Sequence, residues 1–551
     1  MDKTVELRTL DDEMPHHRGK GTVSESKVPE DFDPDRYELA RVGKKEVLKR
    51  RFGLVSMTGL SCGLMCTWES LLVLFLIGFS NGGPAGLVYG FLLIWIGNLS
   101  VFVAIGELSS SMPTAGGQYH WVSLLAPEST RKFFSYVTGW LTVLGWIAAL
   151  TSVSYFVADL ILNLIQLSDG DFSRTGWQGT FLVWALLLIA VVINVFVSSA
   201  LPAIEVVVLI VHILGFFGIL IPLVYLTPSH NSAETVFTNF QNSGGWSSQA
   251  LAFFIGLQGN ALAFVGTDSA VHMSEEVRNA SRDVARSMVS SLLINGCLAL
   301  GMLFAVLFSI TDFEAVQNSA DSLTGPVIEI FHQAVSSHTG VIIMATIILV
   351  LEFCSALGCL AAASRMTWSF ARDRGLPFSR FISMIDKRTT IPVVAILLVT
   401  VLSGLLAIIN IGNYVAFSGV TSMVLEGFYI SYLLAIGLLL WRRVRGDFRD
   451  PSSTPLATSY SDYPAERELV WGPWRLSGKL GIANNVVACL YLLLLVFISL
   501  WPVTPDVAQG AAMNWAVLVT GFVMIFSIGY YLTWARKSYT GPITEVDLHT
   551  L

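Results

Sequence analysis

Residues 248–273 read SQALAFFIGLQGNALAFVGTDSAVHM. As a helix rising 1.5 Å per residue, this run is long enough to cross a ~30 Å hydrocarbon core. It is not a plain span. Gly256-Leu257-Gln258-Gly259-Asn260 and then Phe264-Val265-Gly266-Thr267-Asp268 put glycines beside polar side chains in its middle. Glycine is ~1 kcal/mol worse than alanine inside a helix. These positions therefore predict either unwound backbone, which survives at membrane depth only where it lines a cavity or is buried in protein, or a close helix–helix approach. Spacing alone leaves both open. An apolar crossing with a polar interruption sets the fold class as an all-α polytopic membrane protein.

The rest of the chain repeats the signal. Apolar runs lie near 52–76, 86–106, 133–163, 179–199, 205–226, 248–273, 288–310, 339–364, 391–410, 413–441, 481–501 and 513–535. Twelve transmembrane helices are expected. Of the 551 residues, 53% are hydrophobic and 13% charged, against about 25% charged in soluble domains. That excludes an ordinary soluble enzyme and a wholly disordered chain. A net charge of −7 argues against nucleic acid as a partner. Residues 1–48 lack the apolar core of a signal peptide and read as a disordered cytosolic tail, followed by a twelve-helix domain at 49–535 and a cytosolic tail at 536–551. The six cysteines all fall in apolar runs, so neither a disulfide framework nor a metal site is expected, and no cofactor.

Charge orients the chain. With the N-terminus cytosolic, 32 of the 33 Lys and Arg residues fall on the inner side and only Arg174 outside. One missed span would destroy that split. Both termini are therefore expected in the cytosol.

The first run has an interruption of its own, Thr58-Gly59-Leu60-Ser61-Cys62-Gly63, followed by Thr67-Trp68-Glu69. Runs one and six lie five apart. Interrupted spans at matching places in two halves fit a five-plus-five inverted repeat with its binding site at the breaks.

Several stretches resemble a known family. Gly82-Gly83-Pro84-Ala85-Gly86-Leu87-Val88-Tyr89-Gly90, Glu107-Leu108 and Pro113-Thr114-Ala115-Gly116-Gly117-Gln118-Tyr119-His120-Trp121-Val122 resemble the second span and following loop of amino acid permeases. FVGTDSAVHMSEEVRNASRDVARSM at 264–288 is similar to the sixth-span signature of the amino acid–polyamine–organocation superfamily. Ser364-Arg365-Met366 through Ala371-Arg372-Asp373-Arg374-Gly375-Leu376-Pro377 resembles its eighth-to-ninth loop. The likeness covers about residues 50 to 535 and is nearest to the fungal amino acid/choline branch, with its choline, 4-aminobutyrate and polyamine carriers. It implies a leucine-transporter-type fold with helices 1 and 6 broken. It also implies substrate-binding segments at Leu60, Ser61, Cys62 and Gly63 and at Phe264, Val265, Gly266, Thr267 and Asp268, and a cytosolic gate near Tyr119. Ser61-Cys62-Gly63 departs from the Gly-small-Gly triplet of bacterial relatives, which loosens the register of the first break.

A carboxylate at a helix centre costs at least ~2.5 kcal/mol on insertion scales. Glu69, Asp268, Glu352 and Glu426 lie deep in the runs, without an intramembrane Lys or Arg. Glu69 is read as a substrate-binding acid with Trp68 offering a cation-binding face, or as a structural acid between helices. Asp268 binds substrate or caps the second half-helix. Glu352 and Glu426 are candidates for proton or ion coupling. His212 is read as a packed polar residue more readily than as a relay. Trp146 is a candidate cavity aromatic or a packing residue.

The function expected is secondary active import of a small amino-bearing solute, an amino acid, 4-aminobutyrate or choline, with a proton or sodium, across the plasma membrane. A polyamine carrier, an exporter of the same family and a transporter-like nutrient receptor remain open. HExxH, nucleophile-elbow and Walker signatures are missing from the sequence, which argues against an enzyme or an ATP-driven pump.

Overall fold

The computed structural model describes residues 33–319, 325–412, 414–450, 469–507 and 513–545. Among them there is no strand beyond two isolated bridges, Phe52–Val277 and Arg449–Val470. The helices run α1 (Pro34–Arg41), α2 (Leu54–Met65), α3 (Thr67–Val73), α4 (Phe75–Ser111), α5 (Gln118–Leu125), α6 (Arg131–Ser168), α7 (Gly176–Phe196), α8 (Leu201–Leu226), α9 (Ala233–Thr238), α10 (Gln249–Leu262) and α11 (Ser269–His272). The second half follows with α12 (Ala280–Ser309), α13 (Phe313–Asn318), α14 (Gly325–Ala334), α15 (His338–Arg372), α16 (Ser379–Ile382), α17 (Val393–Leu406), α18 (Ile409–Gly412), α19 (Tyr414–Arg445), α20 (Gly478–Ser499), α21 (Ala516–Tyr530) and α22 (Arg536–Ser538).

Among the described residues, ten helical runs are long and apolar enough to cross a bilayer: α4, α6, α7, α8, α12, α15, α17 continued through α18 (Val393–Ile411), α19, α20, and α21 continued through α22 (Ala516–Ser538). The runs at 52–76 and 248–273 are each divided instead between two short helices. The close pair 179–199 and 205–226 is resolved into α7 and α8, because Pro202 starts a helix well in its first turn. In α4, Gly83 at φ +66° interrupts the helix ahead of Pro84. A Cβ there would lie 2.7 Å from the Gln241 backbone nitrogen, so only glycine fits.

Burial sorts the helices. α6 packs on α15 and α19, α4 on α10 and α12, and α2 on α8 and α12. These surround the middle of the molecule. α7, α8, α17 and α21 carry exposed apolar side chains such as Leu188, Leu214, Val401 and Ile525. Helical backbone meets most of its own hydrogen-bonding needs, so such faces suit hydrocarbon.

Several expected boundaries move, among them the start of the seventh span, which lies at Ala280 instead of 288. The eighth span was expected to end at residue 364, but α15 continues to Arg372 and buries Arg365 at 1% exposure. Its charge is met by Glu276, 2.8 Å away. Residues 33–48, expected as part of a disordered tail, include α1, started by the Asp33 carboxylate accepting from the Asp35 and Arg36 amides. They include Lys44, which is buried. Of the last segment, residues 536–545 are folded, with Tyr539 buried. Residues 1–32 lie outside the described residues.

Candidate functional site

The first break falls at Cys66, three residues beyond the expected Leu60–Gly63. Leu60, Ser61, Cys62 and Gly63 are regular turns of α2. The glycines here serve close packing. A Cβ on Gly59 would lie 2.4 Å from the Glu205 carbonyl oxygen, and one on Gly63 2.6 Å from Val208 Cγ1. Both neighbours are on α8. Cys66 adopts the left-handed conformation at φ 42°, which costs a non-glycine residue ~1–2 kcal/mol. Freed groups find partners: the Cys66 thiol donates to the Gly63 carbonyl at 2.8 Å, and the Ser355 hydroxyl of α15 to the Leu64 carbonyl at 2.6 Å.

The second break spans Ala263–Asp268, between α10 and α11, where the unwinding was expected. Gly266 sits at φ +96°, and a Cβ on it would lie 2.0 Å from Leu64 Cδ2. The two breaks thus touch each other. The Thr267 hydroxyl reaches the Phe264 carbonyl and Met65 sulfur, and the Phe264 ring packs on Phe91. Asp268 does not cap the half-helix with its side chain. Its Oδ2 accepts from Gln118 Nε2 at 2.8 Å and lies 3.3 Å from His272 Nε2.

A small cavity of ≈ 60 Å³ lies between the breaks. Met65 and Ser70 of the first, Val265 and Gly266 of the second, Ser152 and Phe156 of α6, Glu352 of α15 and Thr421 of α19 are in its wall. Among the described residues Glu352 is its one acidic lining residue, and it accepts from the Ser70 hydroxyl at 2.9 Å.

Other expected residues lie around rather than in it. Glu69 points to α8, where its Oε1 is 2.7 Å from His212 Nδ1. His212 Nε2 is 2.8 Å from Asn295 Oδ1 on α12. Trp68 packs against the His212 and Phe216 rings. Trp146 stands edge-on to His272 and Phe428. Glu426 is buried on α19 away from the cavity wall. Among the described residues no Lys or Arg pairs with Glu69 or Asp268; a histidine lies against each, His212 and His272 respectively. Sequence reading set His212 aside as packing and passed over Ser70, His272 and Asn295. The available signal was a polar or ionisable side chain in an otherwise apolar run.

These broken helices around a buried acid agree with a comparison by sequence. A family model described as amino acid permease matches residues 52–525. The chain belongs to the amino acid permease family. It is a transporter, not an enzyme, and an integral membrane protein. A choline transporter of Saccharomyces cerevisiae is 28% identical over 528 residues, covering 95% of this chain and 88% of that protein. The amino-acid permease BAT1 of Arabidopsis thaliana is 27% identical over 94% of this chain and 97% of its own length. Its homolog in Oryza sativa subsp. japonica is 27% identical over 94% and 96%.

Where the segments around Lys44 and Ile543 meet, a buried polar cluster surrounds Tyr119. The Tyr119 hydroxyl donates to Asp373 Oδ2 at 2.8 Å and lies 3.0 Å from Ser369 Oγ. Asp373 also pairs with Lys44 and accepts the Ile543 amide at 2.9 Å. Lys44 donates in turn to the Ile543 carbonyl at 3.1 Å. Burial pushes the Lys44 ammonium below its ordinary pKa, against the pull of Asp373. Alongside, Arg372 holds Glu275 through two bonds of 2.8 and 3.0 Å. Burial by itself would raise the Glu275 carboxyl, but Arg372 outweighs it and holds it below the usual value.

Proposed function

We propose that this permease is a secondary active importer of a small amino-bearing solute, driven by protons across the plasma membrane. The carrying observation is Glu352, a lone carboxylate in the wall of a cavity between two helix breaks. On this reading the broken helices are the eleventh and twelfth crossings beside the ten long ones, the halves form a five-plus-five repeat, and the 32-to-1 split of Lys and Arg places both chain ends in the cytosol. The wall holds no Lys or Arg, so the site reads a positive group. A substrate ammonium or quaternary amine would sit against Glu352, with the Phe156 ring available to it. Choline, 4-aminobutyrate and neutral amino acids fit that description, and choline and amino acids appear in the names of the relatives. A dicarboxylate does not: it would bring two further negative charges to a buried acid, each uncompensated charge costing several kcal/mol.

Glu352→Gln tests the assignment. The affinity for a cationic substrate is expected to fall by about tenfold or more, since hydrogen bonds to charged groups are worth ~1.5–3 kcal/mol. Competition assays with labelled choline and 4-aminobutyrate measure it. Unchanged affinity, or strong dicarboxylate uptake by the wild type, would remove Glu352 from the site.

The Tyr119 cluster would be the cytosolic gate, clasped by both chain ends. Orientation is tested by impermeant thiol labelling of single cysteines placed at Ser26 and Asn318 in intact cells. Only the cysteine at 318 should react, and reaction at 26 would reverse the topology.

A further inference from the structure

His212 has both ring nitrogens engaged, and the partners fix where its hydrogens are. Asn295 Nδ2 donates to the Cys62 carbonyl at 3.2 Å, which orients the amide. Its Oδ1 therefore faces His212 Nε2 at 2.8 Å and can only accept. Nε2 carries a hydrogen. That leaves Nδ1 facing Glu69 Oε1 at 2.7 Å, a contact that needs one proton between the two atoms. It exists either as Nδ1–H with a carboxylate or as a carboxylic O–H with a bare Nδ1. When that proton leaves, lone pairs oppose each other between side chains that are fully buried.

From this geometry we infer that the Glu69–His212 pair is the seat of the coupling proton, a conclusion that rests on the importer reading above. Glu69 belongs to α3, the short helix that follows the first break. The next residue, Ser70, donates to Glu352 in the cavity wall. Proton loss pushes Glu69 from His212, and Ser70 moves with it relative to Glu352. The proton at the back of α3 and the amine at its front thus act on the same short helix. The step moves one proton, from the outer solution onto the pair and from the pair to the cytosol, with nothing oxidised or reduced.

The surrounding ionisable groups are few. α2 and the break bring the Cys62 and Cys66 thiols, α8 its own Glu205 and α15 Glu352, while α14, packed on α3 and α8, carries Glu329 and His332. The polar side chain facing the ring from α12 is Asn295. Among the described residues no Lys or Arg pairs with Glu69 or His212.

His212→Gln and Glu69→Gln test the assignment in proteoliposomes, with labelled choline and 4-aminobutyrate as probes. Accumulation driven by an imposed pH gradient is expected to fall at least about tenfold more than counterflow exchange in each variant. The pH dependence of uptake should flatten. Equal losses of accumulation and counterflow in both variants, or a wild-type pH profile in either, would overturn the assignment. A substrate-free measurement separates this from the importer reading. The pair stabilises the purified protein while it holds its proton, so the wild-type unfolding temperature should step down as pH rises. His212→Gln should lack that step, and keeping it would contradict the proton seat. If the wild type takes up neither probe, the importer reading fails while this step still decides the pair.

Discussion

Gly266→Leu is expected to abolish uptake while leaving the permease at the cell surface. Two penalties coincide at this residue. Its φ of +96° is one that side chains rarely adopt, and any Cβ would sit 2.0 Å from Leu64 Cδ2. Strained backbone of this kind costs ~1–3 kcal/mol, and the leucine would add bulk in the cavity wall. The two penalties can be separated. Gly266→Ala combined with Leu64→Ala relieves the clash but not the φ, so it should recover uptake only in part. Surface biotinylation beside initial uptake rates checks both variants. Normal transport by Gly266→Leu would mean that the second break is not on the substrate path.

Asp373→Asn is expected to lower uptake at least about tenfold by leaving Lys44 buried without its counter-ion. Breaking one side of a buried ion pair costs ~3–5 kcal/mol, and Asp373 also holds the Tyr119 hydroxyl and the Ile543 amide. If that cluster closes the inner path, its loss should open the cavity to the cytosol. Cys359 lines the cavity and is buried. In a variant keeping Cys359 as its sole cysteine, Asp373→Asn should raise labelling by a thiol reagent applied from the cytosolic side. Adding Lys44→Met should restore much of the uptake, because the stranded charge is removed. Loss of uptake with no gain in Cys359 labelling would make the cluster a packing device only.

Particular residues show what sequence could and could not reveal. The ten long helices were legible because their apolar runs exceed any globular core element. The second break was legible because Gly266 follows an apolar stretch and precedes Thr267 and Asp268, so its glycine signal and its backbone agree. At the first break they part. Gly59 and Gly63 imitate a break, but their missing side chains admit α8. The turn itself is made by Cys66, whose identity does not announce a left-handed backbone. The end of α15 was hidden because Arg365 is tolerated inside only through Glu276, 89 residues away in sequence. Glu352 was picked out by its depth and does line the cavity. Glu69 was picked out for the same reason, yet its partner His212 is 143 residues distant. A pairing set by tertiary packing leaves no local pattern to read.

The central claim is uphill movement of a small amine through the cavity at Glu352. Purified permease in liposomes with an acidic exterior, supplied with labelled choline, 4-aminobutyrate and a panel of neutral amino acids, tests it most directly. The prediction is that at least one of these solutes accumulates above its external concentration and drains when a protonophore collapses the gradient. Mere equilibration would indicate a channel, and no uptake of any of them would indicate a receptor; either result would contradict the account.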